Sequence, residues 1–258
     1  TGSVADIQRC EAYCDPRTEI TGTYPGSPQV ASLLCEVGFF KALDIREPKA
    51  PKGFKDRTYL QIERGNSVDS DKADELLNCF SEVSAFTAPD RRRLYVAILE
   101  CMDNVFEHAY PLNSTAPHLV REWWLLGYSD RSAGTIRFIF YDQGAGIPDT
   151  IRQRLKHRVR AALQGWSDGQ WIGRAVTRGM SRHASKRRGH GLRRLRDFVS
   201  EGTLNGTLKV VANRGHVEAS SAGRTRISNI TNELHGTIVV WELKDLGGPT
   251  SPQEMSGD

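Results

Sequence analysis

The sequence predicts an α+β fold, a two-layer sandwich in which one mixed or antiparallel sheet carries helices on one face. Two observations favour this class. Segments 122–128 and 135–141 are predicted strands separated by residues 129–134, which is the usual setting of an antiparallel hairpin. Other segments carry apolar residues at helical spacing, and no internal repeat or heptad pattern is present.

In the first third of the chain, the pattern predicts two helices and one strand. Residues 1–23 show no clear period, so we expect an irregular lead-in. Ser27 as a cap and Pro28 in the first turn, followed by apolar residues at helical spacing, predict a helix over 28–43. The elements expected next are a loop over 45–56, a strand over 58–63 and a helix over 69–85.

From residue 89 onward, longer elements are expected: three helices, two of them basic, and four strands. A Gly/Trp/Ser-rich segment reaching residue 185 separates the two basic helices. The predicted order is helix 91–109, strands 122–128 and 135–141, helices 149–163 and 191–199, and strands 207–212 and 237–243.

The 258 residues are enough for one large domain with an appendage. We expect a small N-terminal α/β appendage over 1–88, the main domain over 89–245 and a disordered tail over 246–258. The stretch 147–190 is longer than a structureless connection should be, so we interpret it as a lid that closes over a ligand.

Composition favours a soluble protein, with 38% hydrophobic and 26% charged residues. No apolar run approaches the roughly 20 residues that span a bilayer, and no secretory signal is recognisable, so we expect a cytoplasmic protein without a membrane partner. The five cysteines are an odd number in a chain of this size. We expect reduced thiols, because Cys10 and Cys14 lack a second pair at zinc-site spacing.

Positive charge is concentrated in one region of the chain. Between Arg152 and Arg196, fourteen Lys or Arg residues stand against the single acid Asp168, whereas the whole chain carries only +4. Such a field attracts nucleotide phosphates, nucleic acid or an acidic protein surface. The alternative is a solvated basic helix face.

The first candidate motif lies on the helix expected over 91–109. Glu100 and Asn104 are one turn apart at the edge of its apolar stripe. An Asn amide oxygen is a neutral hard ligand for Mg²⁺, and a carboxylate one turn away can take a proton from an attacking nucleophile. The alternative is a surface Glu and Asn on an ordinary amphipathic helix.

The second motif follows a strand, where Asp142 precedes Gly144 and Gly146. An ionised Asp only accepts hydrogen bonds, so it suits the amino group of adenine and disfavours the carbonyl of guanine. The glycines would allow a flat ring to lie against the backbone. The alternative is an ordinary turn; the sequence contains neither a Rossmann fingerprint nor a P-loop.

The third motif is the sequence Gly189-His190-Gly191-Leu192, which leads into the second basic helix. Free N–H groups and the helix dipole at such a start bind phosphates, and Lys186 just upstream would add positive charge. A fourth, weaker motif is Thr237, which follows Gly236 and would offer a hydroxyl at the floor of the pocket.

In this order and spacing the four segments resemble the nucleotide-binding motifs of the GHKL superfamily. Its members include gyrase-type ATPases, heat-shock 90 chaperones, mismatch-repair ATPases, sensor histidine kinases and anti-sigma-factor serine kinases. The resemblance covers about 84–243, and the segments similar to the four family boxes are 100–109, 142–146, 189–192 and 236–237. It implies the Bergerat-type sandwich, with ATP and Mg²⁺ as ligands.

The resemblance also implies a role for each matching residue. Glu100 would be the general base, Asn104 the Mg²⁺ ligand and Asp142 the adenine acceptor. The ATP-binding set that follows is Asn104, Asp142, Gly144, Gly146, Lys186, Gly189, His190, Gly191, Leu192 and Thr237.

Departures from the family narrow the expected function. We do not expect a sensor kinase, because no dimerisation helix with a phospho-accepting His precedes the motifs, or gyrase-like strand passage, because no transducer domain follows Thr237. The short domain with His108-Ala109-Tyr110 after the asparagine looks closest to the anti-sigma-factor kinase group. We expect a signalling ATPase or protein kinase that hydrolyses ATP slowly or phosphorylates a regulatory protein partner. The alternative is an ATP-gated binding switch with little catalysis, whose basic region 152–196 contacts nucleic acid or an acidic partner. The sequence leaves open whether the protein forms a homodimer.

Overall fold

The computed structural model describes residues 2–15, 20–49, 53, 57–81, 87–110, 121–155, 164–178, 191–201 and 205–244. Its centre is a five-stranded sheet in which every pair of neighbouring strands is antiparallel, in the order β1-β2-β3-β5-β4. The strands are β1 Arg57–Gly65, β2 Trp123–Asp130, β3 Thr135–Asp142, β4 Asn205–Ser220 and β5 Thr225–Lys244. The α+β class and the antiparallel sheet are thus confirmed.

Of the described helices, three precede β1, two lie between β1 and β2, and three lie between β3 and β4. They are α1 Gly2–Tyr13, α2 Pro28–Glu36, α3 Phe39–Ala42, α4 Ser70–Ser81, α5 Ala88–Asn104, α6 Ile147–Arg154, α7 Asp168–Arg178 and α8 Gly191–Glu201, with a π-helix, Val105–Ala109, directly after α5. None of these described helices has both the length and the apolar character that crossing a membrane requires.

Local sequence explains most helix boundaries. The Thr87 side chain accepts a hydrogen bond from the Asp90 N–H at 3.2 Å, and Pro89 lies in the first turn, so α5 begins three residues earlier than predicted. The single helix predicted over 28–43 is wrong. Gly38, with φ 70°, separates α2 from α3 because a left-handed residue ends a helix.

One face of the sheet carries the main helical layer. Alternate side chains of the central strands, among them Phe138 and Trp241, pack against Leu94 and Ile98 of α5 and Phe198 of α8. These side chains are almost completely buried, and each contributes about 1.5–3 kcal/mol to stability. This layer therefore fixes α5 and α8 on this face of the sheet.

The other face of the sheet is covered by α1, in the segment that was expected to be irregular. Ala5 packs with Trp124 and Tyr141, and the Trp124 Nε1–H donates to Gln8 Oε1 at 3.0 Å. The irregular lead-in and the restriction of helices to one face are therefore both wrong. Little in the sequence indicates this helix, because its described buried residues are only Val4, Ala5 and Gln8, too few apolar positions to show a helical period.

The segment before residue 88 also joins the main sheet and core. β1 pairs with β2 along the edge of the sheet, and Leu76 and Leu77 of α4 belong to the same apolar cluster as α5. Residues 57–81 are therefore packed with the domain that was expected to begin at 89. The tail 246–258 lies outside the described residues.

The strands β4 and β5 are much longer than predicted, and β4 folds back on itself. Asn213 has a φ of 51°, the Ser221 N–H donates to the Gly206 carbonyl at 2.9 Å, and Lys209 Nζ lies 3.8 Å from Glu218 Oε2. These contacts place the two halves of β4 side by side. The predicted strands 207–212 and 237–243 correspond only to the near halves of β4 and β5.

The helix α7 lies in the Gly/Trp/Ser-rich segment, where no helix was predicted. It packs on the far half of β4, with Ile172 and Val176 in the same cluster as Val217. Gly169 and Gly173 lower its helix propensity, which explains why the sequence did not indicate it. The helix predicted over 149–163 begins two residues earlier, as α6, and residues 156–163 lie outside the described part of the chain.

Candidate functional site

The candidate site begins with Asp142, the last residue of β3. It points to the same side of the sheet as Phe138 and Phe140 and lies opposite Thr237 in the register of β5. Its exposed fraction is only 6%. A carboxylate at this depth requires hydrogen-bond donors or a ligand.

Three donors surround the Asp142 carboxylate. The Gly144 N–H lies 2.8 Å from Oδ1, and both the hydroxyl and the backbone N–H of Thr237 form hydrogen bonds with it. Burial nevertheless dominates and raises the pKa of Asp142 to about 6, with the three hydrogen bonds opposing that rise. The group is therefore ionised at neutral pH and protonated in mild acid.

The loop that follows Asp142 contacts the end of the π-helix. The Ala145 N–H donates to the Ala109 carbonyl at 2.7 Å, and a Cβ at Gly144 would collide with the same carbonyl. Glycine is thus required at 144 for a close approach between two parts of the chain. This contact joins the second sequence motif to the first.

Glu100 and Asn104 lie one turn apart on α5, as predicted, and face the start of α8. A Cβ built on Gly191 would lie 2.6 Å from Glu100 Oε2 and 3.3 Å from Asn104 Nδ2. The third motif therefore lies directly on the first. Arg194, one turn into α8, forms an ion pair with the Glu100 carboxylate.

Asn104 has unused hydrogen-bonding capacity. Its Nδ2 is buried and has no hydrogen-bond partner among the described residues. No cluster of three or more His, Cys, Asp or Glu in the described part of the chain could hold a metal ion. A Mg²⁺ ion at Asn104 would thus take one amide oxygen from the protein and its other ligands from phosphate and water, which is a usual arrangement for this ion.

A shared neighbour connects Asp142 with α5. Burial raises the pKa of the Cys101 thiol, and the negative charge of Asp142 raises it further, so the carboxylate acts electrostatically on the residue that follows Glu100. The structure therefore gathers Glu100, Asn104, Asp142, Gly144, Gly191 and Thr237 around one end of the sheet. Gly146 is the N-cap residue directly before α6, and Leu192 packs partly buried against the core. The predicted residues Lys186, Gly189 and His190 lie outside the described residues.

Sequence reasoning missed three residues that hold the site. Tyr110 accepts a hydrogen bond from the Gln143 N–H at 3.2 Å and donates to the Glu122 carbonyl at 2.9 Å. Asn213 Nδ2 lies 3.3 Å from the Ala145 carbonyl, and Arg194 pairs with Glu100. Residues that are distant in sequence but clustered in space produce no periodic pattern that could predict them. The one usable signal is the sequence Asn213-Arg214-Gly215, which is typical of a turn.

The described cations of the basic region mostly have acidic partners. Arg152 pairs with Asp149 and Asp168, both Arg193 and Arg196 pair with Asp197, and Arg194 pairs with Glu100. Much of the positive charge described there is therefore neutralised locally. Nine of the fourteen basic side chains in this region are not among those described.

Comparisons with known proteins provide no match from which a function could be inferred. The chain matches no protein-family model, and no curated protein matches it.

Proposed function

We propose that the protein binds Mg-ATP at this end of the sheet and acts as a regulatory module of the GHKL type, either hydrolysing ATP slowly or transferring its terminal phosphate to a partner protein. The observation that supports this most strongly is the placement of Gly191 directly against Glu100 and Asn104. Residues more than 85 positions apart, selected from sequence as parts of one pocket, are neighbours in space.

Asp142, Gly144 and Thr237 form the adenine side of the proposed site. Asp142 is buried, ionised at neutral pH and only able to accept hydrogen bonds, so it selects the amino group of adenine. The hydrogen bonds from Gly144 and Thr237 fix the orientation of its carboxylate. A ring at this position would take up the remaining acceptor capacity of the carboxylate.

Glu100, Asn104 and the first turn of α8 form the phosphate side. The N–H groups of the first turn of this 11-residue helix would attract phosphate oxygens, and the helix dipole would reinforce this attraction. Asn104 would hold Mg²⁺, which neutralises phosphate charge when bound. Glu100 would accept the proton of the attacking water or hydroxyl, a role worth about 10² to 10⁴ in rate.

A second candidate function is an ATP-gated binding switch with little catalysis. The observation that favours it is the ion pair between Glu100 and Arg194, because this contact occupies the proposed base. A switch of this kind would bind nucleotide and change its affinity for an acidic protein or a nucleic acid through 152–196. Nucleic-acid binding would weaken steeply with added salt.

Calorimetric titration of the protein with a non-hydrolysable ATP analogue and Mg²⁺, beside the matching GTP analogue, tests the proposal. We expect saturable binding of the adenine nucleotide and at least tenfold weaker binding of the guanine nucleotide, since guanine presents a carbonyl to Asp142. Equal binding of both, or binding of neither, would contradict the assignment. Measured ATP turnover then separates the enzyme from the switch.

A further inference from the structure

The structure brings two helix faces together at the phosphate side of the proposed site. On α5 this face carries Glu100 and Asn104, one turn apart, and on α8 it carries Gly191 and Arg194, also one turn apart. Gly191 lies against both α5 residues, and Arg194 forms an ion pair with Glu100. The start of α8 therefore covers the residues that would meet the metal and the phosphates.

Resting on the proposed function, we propose that Arg194 is a positioning residue for Glu100: it holds the carboxylate against α8 when no nucleotide is bound and must release it before Mg-nucleotide can enter. The ion pair engages a lone pair of Glu100 that would otherwise accept a proton. The guanidinium suits this role because it is always charged and presents several donors in one plane.

The anchoring of α8 indicates which part of the helix moves. Leu195, Phe198 and Val199 are almost completely buried in the core, whereas Gly191 is only partly buried and Arg194 is exposed. The second half of α8 is thus fixed, whereas among the described residues its first turn meets α5 through Gly191 and Arg194 and the core through the partly buried Leu192. Release of Arg194 removes the charged contact of the first turn while the three buried residues stay packed in the core.

The unpaired amide of Asn104 supports the same conclusion. Its buried Nδ2 lacks a hydrogen-bond partner among the described residues, so the contact with Gly191 leaves a polar group unsatisfied. The free-energy cost of this unsatisfied group has to be offset by other interactions between the two helices. Among the described residues, the Arg194–Glu100 pair is the one charged contact between these two faces. Arriving phosphate oxygens would supply the acceptor that Nδ2 lacks.

Calorimetric titration with Mg-ADP tests the inference without requiring turnover. Arg194→Ala should bind Mg-ADP about two- to fivefold tighter than wild type, the size expected for loss of a partly exposed ion pair. Arg193→Ala is the matched control, because it removes the same charge from the same turn but pairs with Asp197 at 3.4 Å instead of Glu100. Arg194→Lys keeps a charged partner and should resemble wild type.

A double-mutant cycle shows whether Arg194 acts through Glu100. In the Glu100→Gln background, Arg194→Ala should change Mg-ADP affinity no more than Arg193→Ala does. In turnover assays, Arg194→Ala should lower the KM for ATP without lowering kcat.

Two results overturn the inference while leaving the proposed function in place: affinity in Arg194→Ala equal to or weaker than in Arg193→Ala, or the same tightening in the Glu100→Gln background. Absence of any nucleotide binding, in wild type and in every variant, would overturn both proposals. Thermal unfolding of each variant confirms that the compared proteins are folded.

Discussion

The two sides of the proposed site differ in how complete they are. On the adenine side, Asp142 is fixed by the sheet, and three donors already hold its carboxylate. On the phosphate side, Glu100 is paired with Arg194, and the buried Asn104 Nδ2 lacks a partner in the described chain. A side built from strand ends is preformed, whereas one built between two helices depends on how those helices meet.

The largest effect is expected for Glu100→Gln, which removes the proposed base from the phosphate side and keeps its shape. We expect turnover to fall by about 10² to 10⁴, with nucleotide binding retained. Glu107→Gln on the exposed face of the π-helix is the control. Hydrolysis at the wild-type rate in Glu100→Gln would remove Glu100 from the mechanism.

Asp142→Asn tests the adenine side. Loss of a charge-assisted hydrogen bond should weaken ATP binding by roughly 1.5–3 kcal/mol, or about 10- to 150-fold. Calorimetry measures this effect, and Asp103→Asn on the exposed face of α5 is the matched control. Unchanged affinity would show that Asp142 does not contact the base.

The pH dependence of ATP affinity separates the two sides of the proposed site, because Asp142, the group expected to titrate, belongs to the adenine side. The pKa of Asp142 is about 6, so ATP affinity should fall as the pH drops from 7 to 5 and the carboxylate gains a proton. In Asp142→Asn this fall should disappear. A wild-type affinity that stays constant over the same range would contradict the assigned role.

The same carboxylate should affect unfolding in the opposite direction. Its folded pKa of about 6 is raised above the ordinary value, so its contribution to stability is full below about pH 4 and is lost as the pH rises through 6. Denaturant unfolding at pH 4.5 and 7 measures the change. Asp142→Asn should flatten the change; an identical pH dependence in this variant would assign it to other groups.

The smallest effect is expected for Asn213→Ala, which removes a support of the loop after Asp142. Loss of the 3.3 Å hydrogen bond to the Ala145 carbonyl should lower the free energy of unfolding by about 1 kcal/mol and weaken ATP binding slightly. Asn232→Ala on the exposed part of β5 is the control. A larger loss of turnover than of binding would indicate a role beyond support.

Sequence predicted the parts of this molecule that depend on local pattern. The helix with Glu100 and Asn104, and the hairpin that ends at Asp142, follow from apolar periodicity, and the structure places both as expected. The helix α1 could not be predicted in this way, because its described buried residues are too few to show a helical period. The far halves of β4 and β5 were not predicted, because bends and exposed positions disrupt the alternation of apolar and polar residues that indicates a strand.

Tertiary contacts are the second part that sequence could not supply. The spacing of the motifs predicted that Gly191 belongs to the same pocket as Asn104, but not that it rests on that side chain. The pairing of Arg194 with Glu100 joins residues 94 positions apart, and no local rule selects Arg194 over its neighbour Arg193. Such choices depend on the angle at which two helices pack, which side-chain periodicity does not encode.

The π-helix between Asn104 and Tyr110 gives this segment a wider turn than the α-helix before it. Each N–H of a π-helix bonds to the carbonyl five residues back, and the last carbonyl of the five-residue segment Val105–Ala109 receives the Ala145 N–H at 2.7 Å. Since an α-helix bonds four residues back rather than five, removing one residue here would let the segment continue α5 with ordinary α-helical turns. Substitutions act differently, because Val105 and Ala109 are buried in the core and a larger side chain at either position would have to displace its neighbours.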